Sequence, residues 1–260
     1  MVFKKRVNKR KLFLFMVFRI CLWVLVLLPL FGTSQTFKVP TVYAGVEMVH
    51  DALDFSTGRM DNVFYFRTDG SFTETLYEEK WKSIKDGSYK LTGKHVILEY
   101  VEDREKDTLF LDADGKTGKY RCCGLSLGWA TMVKMKSVKE IPAGFYSYET
   151  ASSLSATTDF AQTRVFSNDD IYFLADKRFT RDKKSMVALT SANTVLTATG
   201  DDSLTGSYTV TEGALTLMYD DGEIEKGSFF LDSRLMDGSK EKAYLMAFKG
   251  DVFVYLPTAN

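Results

Sequence analysis

Cysteine is scarce in this chain of 260 residues, and its distribution excludes a disulfide-stabilised fold. Only three cysteines are present, and Cys21 lies in an apolar N-terminal segment. The other two, Cys122 and Cys123, are neighbours, and neighbouring side chains on a strand point to opposite faces. They therefore predict neither an ordinary disulfide nor a shared metal site. The remaining chain has to be stabilised by burying apolar surface.

Histidine is scarcer still, which argues against metal and hydrolase sites. Neither His50 nor His95 has a second histidine at ligand spacing, whereas zinc needs three or four converging ligands. The segment Gly124–Gly128 matches G-x-S-x-G, but a nucleophile elbow requires its histidine after the serine, and both histidines precede Ser126.

Asp112–Gly115 resembles the opening of a calcium loop, yet its glycine comes too early, so we predict a turn. We expect no catalytic residue, no metal and no cofactor.

Positive charge is in deficit once the N-terminus is set aside. Seven of the 34 basic residues lie in residues 1–34, together with none of the 34 acidic residues. The rest of the chain therefore has a net charge of about −7 on simple counting. Nucleic acids and anionic lipid surfaces require positive patches. We accordingly expect no nucleic-acid partner.

The N-terminus has the composition of a secretory signal peptide. A basic head, Lys4–Lys11, precedes an apolar run, Leu12–Phe31, and the small residues Gly32–Ser34. That order predicts a signal peptide over residues 1–34 and an exported, periplasmic or secreted, chain. The alternative is an uncleaved membrane anchor with the rest facing outside, although Arg19 is costly within a bilayer. Membrane contact is expected only through such an uncleaved segment.

The remaining sequence contains one pattern twice. Residues 87–100 and 206–219 share six of fourteen positions without a gap. Upstream, Val63–Phe72 parallels Asp170–Phe179. Further blocks follow in the same order: Ala44-Gly45 with Ala143-Gly144, Thr108–Asp112 with Ser228–Asp232, and Asp114-Gly115 with Asp237-Gly238. We interpret these blocks as a duplication, with one β domain in residues 35–140 and a second in residues 141–260.

Both copies alternate apolar and polar residues, as half-buried strands do. Asp69-Gly70, Gly93, Gly213 and Asp221-Gly222 supply hairpin turns. The four prolines lie outside the predicted strands. We predict an all-β fold of two tandem antiparallel small barrels or sandwiches, joined near Lys136–Gly144. A single larger sheet or barrel to which both halves contribute is the alternative.

The second copy contains an extra stretch, Asp182–Ser203, rich in serine, threonine and alanine. We predict a longer surface loop there, or a short helix through Ser185–Ala192. Insertions of this size often shape binding sites.

The order of motifs F-x-x-D-G-x-F, G-S-Y-x-[LV]-x-G and L-x-Y, followed by an acidic turn, resembles the small lipocalin-like β domains of exported bacterial proteins. This resemblance implies a β-barrel that binds an apolar ligand or a fragment of the cell envelope. Aromatic residues on the strands are the candidate ligand-binding set, either lining a cavity or packing a core. They are Phe64, Phe66, Tyr89, Tyr100, Tyr172, Tyr208, Tyr219 and Phe230.

These features predict a non-catalytic, extracytoplasmic binding or interaction module. Its partner would be a small apolar ligand or an envelope component, contacted by the barrel mouths or by the insertion. Two alternatives remain open: an envelope-associated structural protein without a small ligand, and a hydrolase of envelope polymers that uses a pair of carboxylates.

Overall fold

The fold comes from a computed structural model that describes residues 35–51, 56–101, 106–121, 129–155, 162–191, 194–241 and 243–256. The expected signal peptide and the Gly124–Gly128 motif lie outside these residues. Within them, no helix is long and apolar enough to cross a bilayer.

The regular secondary structure of the described chain is almost entirely β, as the alternating pattern predicts. Its only helical pieces within those ranges are a 3-10 turn, Trp81–Ser83, and a short α-helix, Ser233–Met236. Sixteen strands account for most of the rest: β1 Thr41–Asp51, β2 Ser56–Phe66, β3 Ser71–Thr73, β4 Gly87–Thr92, β5 His95–Tyr100, β6 Asp107–Leu111, β7 Thr117–Tyr120, β8 Ala130–Lys136, β9 Gly144–Ser155, β10 Gln162–Phe173, β11 Arg178–Ser191, β12 Thr194–Thr211, β13 Ala214–Tyr219, β14 Ile224–Asp232, β15 Tyr244–Phe248 and β16 Asp251–Leu256.

Strands β1 to β8 form a closed antiparallel barrel, which we call the first ring. Each strand pairs with the next along the chain, and β8 returns to pair with β1. The predicted hairpins form between these strands: Phe66 pairs with Phe72 around Asp69-Gly70, and Thr92 pairs with His95 around Gly93. Local turn chemistry is sufficient to place these hairpins because only a few residues separate the paired positions.

Strands β9 to β16 also pair in chain order, and β16 pairs with β9. We call them the second ring. The two rings belong to one continuous sheet, because β14 pairs with β8 through Leu231–Lys136 and Asp232–Met135, and β2 pairs with β9 at Thr57–Ser153. The observed arrangement thus combines chain-order pairing within each half with hydrogen bonds between the halves.

Buried apolar residues form three clusters. The cluster inside the first ring contains Tyr43, Phe64, Phe66, Phe72, Tyr89, Val96, Leu98, Leu109, Tyr120, Ala130 and Met132. The cluster inside the second ring includes Tyr146, Phe173, Phe179, Tyr208, Leu217, Tyr219, Phe248 and Phe253. A third cluster lies between the rings and contains Val42, Ala44, Val63, Leu76, Trp81, Met135, Phe230, Ala247 and Val252. The two halves therefore share apolar surface as well as strand pairing.

The two rings place the repeated motif in matching surroundings. Gly87 lies between Phe72 and Tyr100 in the strand register, and Gly206 lies between Phe179 and Tyr219. The following tyrosines match as well: the Tyr89 amide donates to the Gly70 carbonyl at 2.8 Å, and the Tyr208 amide to the Lys177 carbonyl at 3.0 Å.

Two of the predicted correspondences are shifted. Tyr43 lies opposite Phe64 and Tyr146 opposite Ile171, so these tyrosines correspond and the two Ala-Gly pairs do not. Downstream, His95 lies opposite Phe110 and Ala214 opposite Ser228, which moves the match between Thr108–Asp112 and Ser228–Asp232 by two residues. A shift of two keeps the same faces of the strand inward.

The prediction for Asp182–Ser203 is wrong. Neither a loop nor a helix forms over the described part of this stretch. It lengthens β11 and β12 instead, and their pairing runs from Asp182, opposite Ser203, to Ser191, opposite Thr194. Threonine, valine and leucine have high β propensity and favour an extended hairpin here.

Candidate functional site

The predicted ligand-binding aromatics of the first ring are core residues. Phe64 and Phe66 are 1% and 0% exposed, with ring centroids 6.0 Å apart. Tyr89 packs edge-on against Phe66 at 4.9 Å, and its hydroxyl donates to the Arg67 carbonyl at 2.6 Å. These three side chains are buried and pack against one another in the apolar cluster of the first ring.

The remaining members of the predicted set do not come together. Tyr208 and Tyr219 lie in the cluster inside the second ring. Tyr172 is 47% exposed and lies beside Phe145. Phe230 lies between the rings, 5.7 Å from Trp81. Tyr100, the eighth residue, belongs to a polar layer that the aromatic pattern did not predict.

A polar layer closes one end of the first ring. The Tyr100 hydroxyl donates to Glu74 at 3.2 Å, and the Tyr120 hydroxyl donates to Asp107 at 2.9 Å. Glu47 and Asn62 are buried in the same region, on the strand faces that carry Tyr43 and Phe64 further along. Burial and the neighbouring carboxylate Asp107 raise the pKa of Tyr120, so this phenol remains a hydrogen-bond donor.

The second ring has a charged layer at the matching positions. Arg181 holds Asp169 with two hydrogen bonds, Nε to Oδ1 at 2.7 Å and Nη2 to Oδ2 at 2.5 Å. Its Nη1 donates to the Tyr219 hydroxyl at 2.8 Å and also contacts Glu225, which in turn binds Lys249 at 3.0 Å. The Arg181 side chain is only 5% exposed, and these partners keep its pKa raised despite burial.

The strand register explains why both layers form. Arg181 follows the inward Phe179 by two residues on the same strand, so it continues onto the inner face. Glu74 likewise follows Phe72 by two residues, directly after β3 ends, and its carboxylate accepts from Tyr100. Tyr100 and Tyr219 lie opposite Gly87 and Gly206. The sequence feature that marks these layers is a polar residue two positions after an inward-facing phenylalanine. Selecting candidate site residues by aromatic character did not find Glu74 or Arg181.

Next to the charged layer, a second ion pair joins the rings. The Arg59 Nε lies 2.7 Å from Asp61 Oδ1, and both side chains are 9% exposed. Asp61 also accepts the Val252 amide at 2.8 Å, while Arg59 contacts the Val252 carbonyl and lies 4.3 Å above the Tyr148 ring. This pair connects β2 of the first ring to β9 and β16 of the second.

Asp251 is the surplus carboxylate of this region. Arg59 and Arg181 are committed to Asp61 and Asp169, and no ion pair to Asp251 occurs among the described residues. Although Asp251 is exposed as a whole residue, desolvation of its carboxyl group by the surrounding protein, together with the charges of Asp61 and Asp169, raises its pKa to about 6. Solvent also reaches the residue and screens these charges, which limits the size of the effect and keeps its direction.

We expect this carboxylate to make stability pH-dependent. Because the pKa is raised from an unfolded value near 4, the folded state binds the proton more tightly, and stability falls as pH rises from about 4 through about 6. Asp251→Asn lacks this loss and should melt above the wild type at pH 7. The two proteins should converge near pH 4. Melting temperatures of both proteins, measured from pH 4 to pH 7, test the difference. A difference in melting temperature that does not change with pH would contradict it.

The acidic turn at Asp112–Gly115 uses its carboxylates within the chain. Asp112 accepts from the Thr117 hydroxyl and Asp114 accepts from the Lys116 amide at 2.9 Å. Gly115 has a φ of 64°, which suits a tight turn. Over the described ranges, no group of three histidine, cysteine or acidic residues is arranged to hold a metal.

His95 lies on the outer surface of the first ring. Its imidazole packs edge-on against Phe110 with ring centroids 4.9 Å apart, and the Phe110 ring lies 5.4 Å from that of Trp129.

Comparison with known proteins identifies no family for this chain. No family model, no curated protein and no solved structure matches it.

Proposed function

We propose that this chain is an exported, non-catalytic interaction module whose barrel interiors are structural. In this proposal residues 1–34 are a signal peptide, or alternatively an anchor that leaves the rest outside the cytoplasm. The mature chain is a tandem pair of lipocalin-like barrels that arose by duplication. Matching positions of Gly87 and Gly206, and of Tyr89 and Tyr208, support that origin.

One observation carries the proposal: the aromatics that would line a ligand cavity are packed against one another. Phe66 alone has ring neighbours Phe64 at 6.0 Å, Phe72 at 6.2 Å and Tyr89 at 4.9 Å. The Tyr89 hydroxyl is satisfied by backbone groups and needs no ligand. Recognition is then left to the outer surface and to the strands that extend beyond the rings.

Native mass spectrometry of the protein purified from its own envelope tests this proposal. We expect the mass of the protein alone, without a co-purifying lipid or small molecule. A stoichiometric apolar ligand would contradict the proposal and restore the carrier interpretation.

Phe66→Ala provides the matched positive control. Removing this ring should open a dry cavity inside the first ring and cost about 4 kcal/mol of folding free energy. An apolar probe such as benzene should then bind the variant and not the wild type. Equal binding to both proteins would show that the wild-type barrel already has room.

A carboxylate-dependent hydrolase is the second candidate, and Asp251 is the observation that favours it. A carboxylic acid with a raised pKa beside other carboxylates is the arrangement from which a general acid and its partner are built. Incubation with envelope polysaccharides, comparing the wild type with Asp251→Asn, tests this role. Turnover that the substitution abolishes would establish the hydrolase; our first proposal expects none.

A further inference from the structure

Strand β12 extends well beyond its neighbour β13. It pairs with β11 from Thr194, opposite Ser191, to Ser207, opposite Arg178. On its other side, the β13 register begins only at Gly206, opposite Tyr219. From Thr194 to Leu204, that side has no strand partner within the described ranges, so backbone amides and carbonyls line a free edge about eleven residues long.

The first seven residues of this edge lack the features that usually protect one. Thr194–Gly200 reads Thr-Val-Leu-Thr-Ala-Thr-Gly, with no charge and no proline. Exposed edges are normally blunted by lysine, proline, a bulge or a very short strand. An uncharged segment rich in β-branched residues is instead suited to pairing with another strand.

We propose that this edge pairs with the same edge of a second copy of the chain, as an antiparallel strand pair about a twofold axis at Thr197. The inference rests on the proposed interaction function and names its partner. In this register Thr194 of each copy lies opposite Gly200 of the other.

Charge selects the register and allows a second copy as the occupant. Pairing about Thr197 places one uncharged segment against another and leaves Asp201 and Asp202 outside it. Pairing about Asp201 would place like charges opposite each other, which is unfavourable. The aspartates already lie opposite lysines of β11, Asp201 opposite Lys184 and Asp202 opposite Lys183, so no basic partner is required. A twofold contact also closes both free edges at once.

A charge-reversal experiment on the full chain tests this pairing by sedimentation velocity. The wild type should dimerise reversibly. In Thr197→Lys and in Thr197→Asp, two like charges meet on the axis, so self-association should weaken by about tenfold or more. An equimolar mixture of the two variants places lysine opposite aspartate and should recover the dimer.

Thr209→Lys is the matched control, because Thr209 lies on the same strand where β13 covers it, opposite Thr216. This variant should dimerise like the wild type, and circular dichroism should show that all variants are folded. A monomeric wild type, or a dimer that Thr197→Lys leaves intact, overturns the inference. Either result leaves the proposed function standing, because that proposal fails on a bound small ligand or on turnover.

Discussion

Gly206→Ala should destabilise the protein by about 3 kcal/mol, because there is no room for a methyl group at this position. A Cβ at Gly206 would lie 2.2 Å from the Met218 carbonyl oxygen and 2.7 Å from Cε1 of Phe179. The oxygen belongs to the paired strand and cannot move without disrupting the ladder. Denaturant unfolding of the purified variant measures the loss.

Gly87→Ala should have a similar effect in the other half of the molecule. Its Cβ would lie 2.3 Å from the Glu99 carbonyl oxygen and 2.6 Å from Cε1 of Phe72. Gly58→Ala is the control, since nothing lies within 4 Å of a Cβ there. If Gly87→Ala and Gly206→Ala unfold at the same denaturant concentration as Gly58→Ala, the phenylalanine ring and the carbonyl oxygen of the paired strand do not approach these glycines as closely as described.

Arg181→Leu should cost about 4 kcal/mol, because it leaves the partly buried carboxylate of Asp169 without its cation. Asp169 and Glu225 are 18% and 17% exposed and both contact Arg181. Lys249 continues to serve Glu225, so Asp169 suffers the larger loss. The free energy of unfolding at neutral pH is the measurement.

Arg178 offers a close comparison in the same strand. It makes the same two-bond contact with a carboxylate, Asp220, at 2.9 and 2.7 Å, but both side chains are largely exposed. Arg178→Leu should therefore change stability little, because exposed ion pairs are screened by water and salt. Combining Arg181→Leu with Asp169→Asn should recover part of the loss. Equal losses for the two arginine variants would mean that burial does not set the cost.

The features that the sequence predicted are the local ones. Alternation along β4 and β12, and glycine turns at Gly93 and Gly213, depend on residues a few positions apart, and the strands and hairpins formed where expected. The closed first ring follows from joining such hairpins in chain order.

The features that it missed depend on distant residues. Asp61 and Val252 meet only because the rings pack together, and neither position has a local signal. Phe230 was assigned to a binding face because it is aromatic, yet the strand turns it toward Trp81 of the other half. The stretch Asp182–Ser203 is a local exception: we predicted a longer loop or a short helix because it is an extra stretch rich in serine, threonine and alanine, whereas its two arms pair with each other as one hairpin.

The strand pairing between β8 and β14 has a consequence for how the chain can be divided. Pro142 lies in the connection between the halves, but hydrogen bonds and the apolar cluster around Trp81 and Phe230 also join them. A protease cut near Pro142 should therefore release no free half. The two fragments should elute together as a complex and separate only in denaturant. Either fragment expressed alone would expose an unpaired strand and part of the apolar cluster between the rings, and it should aggregate.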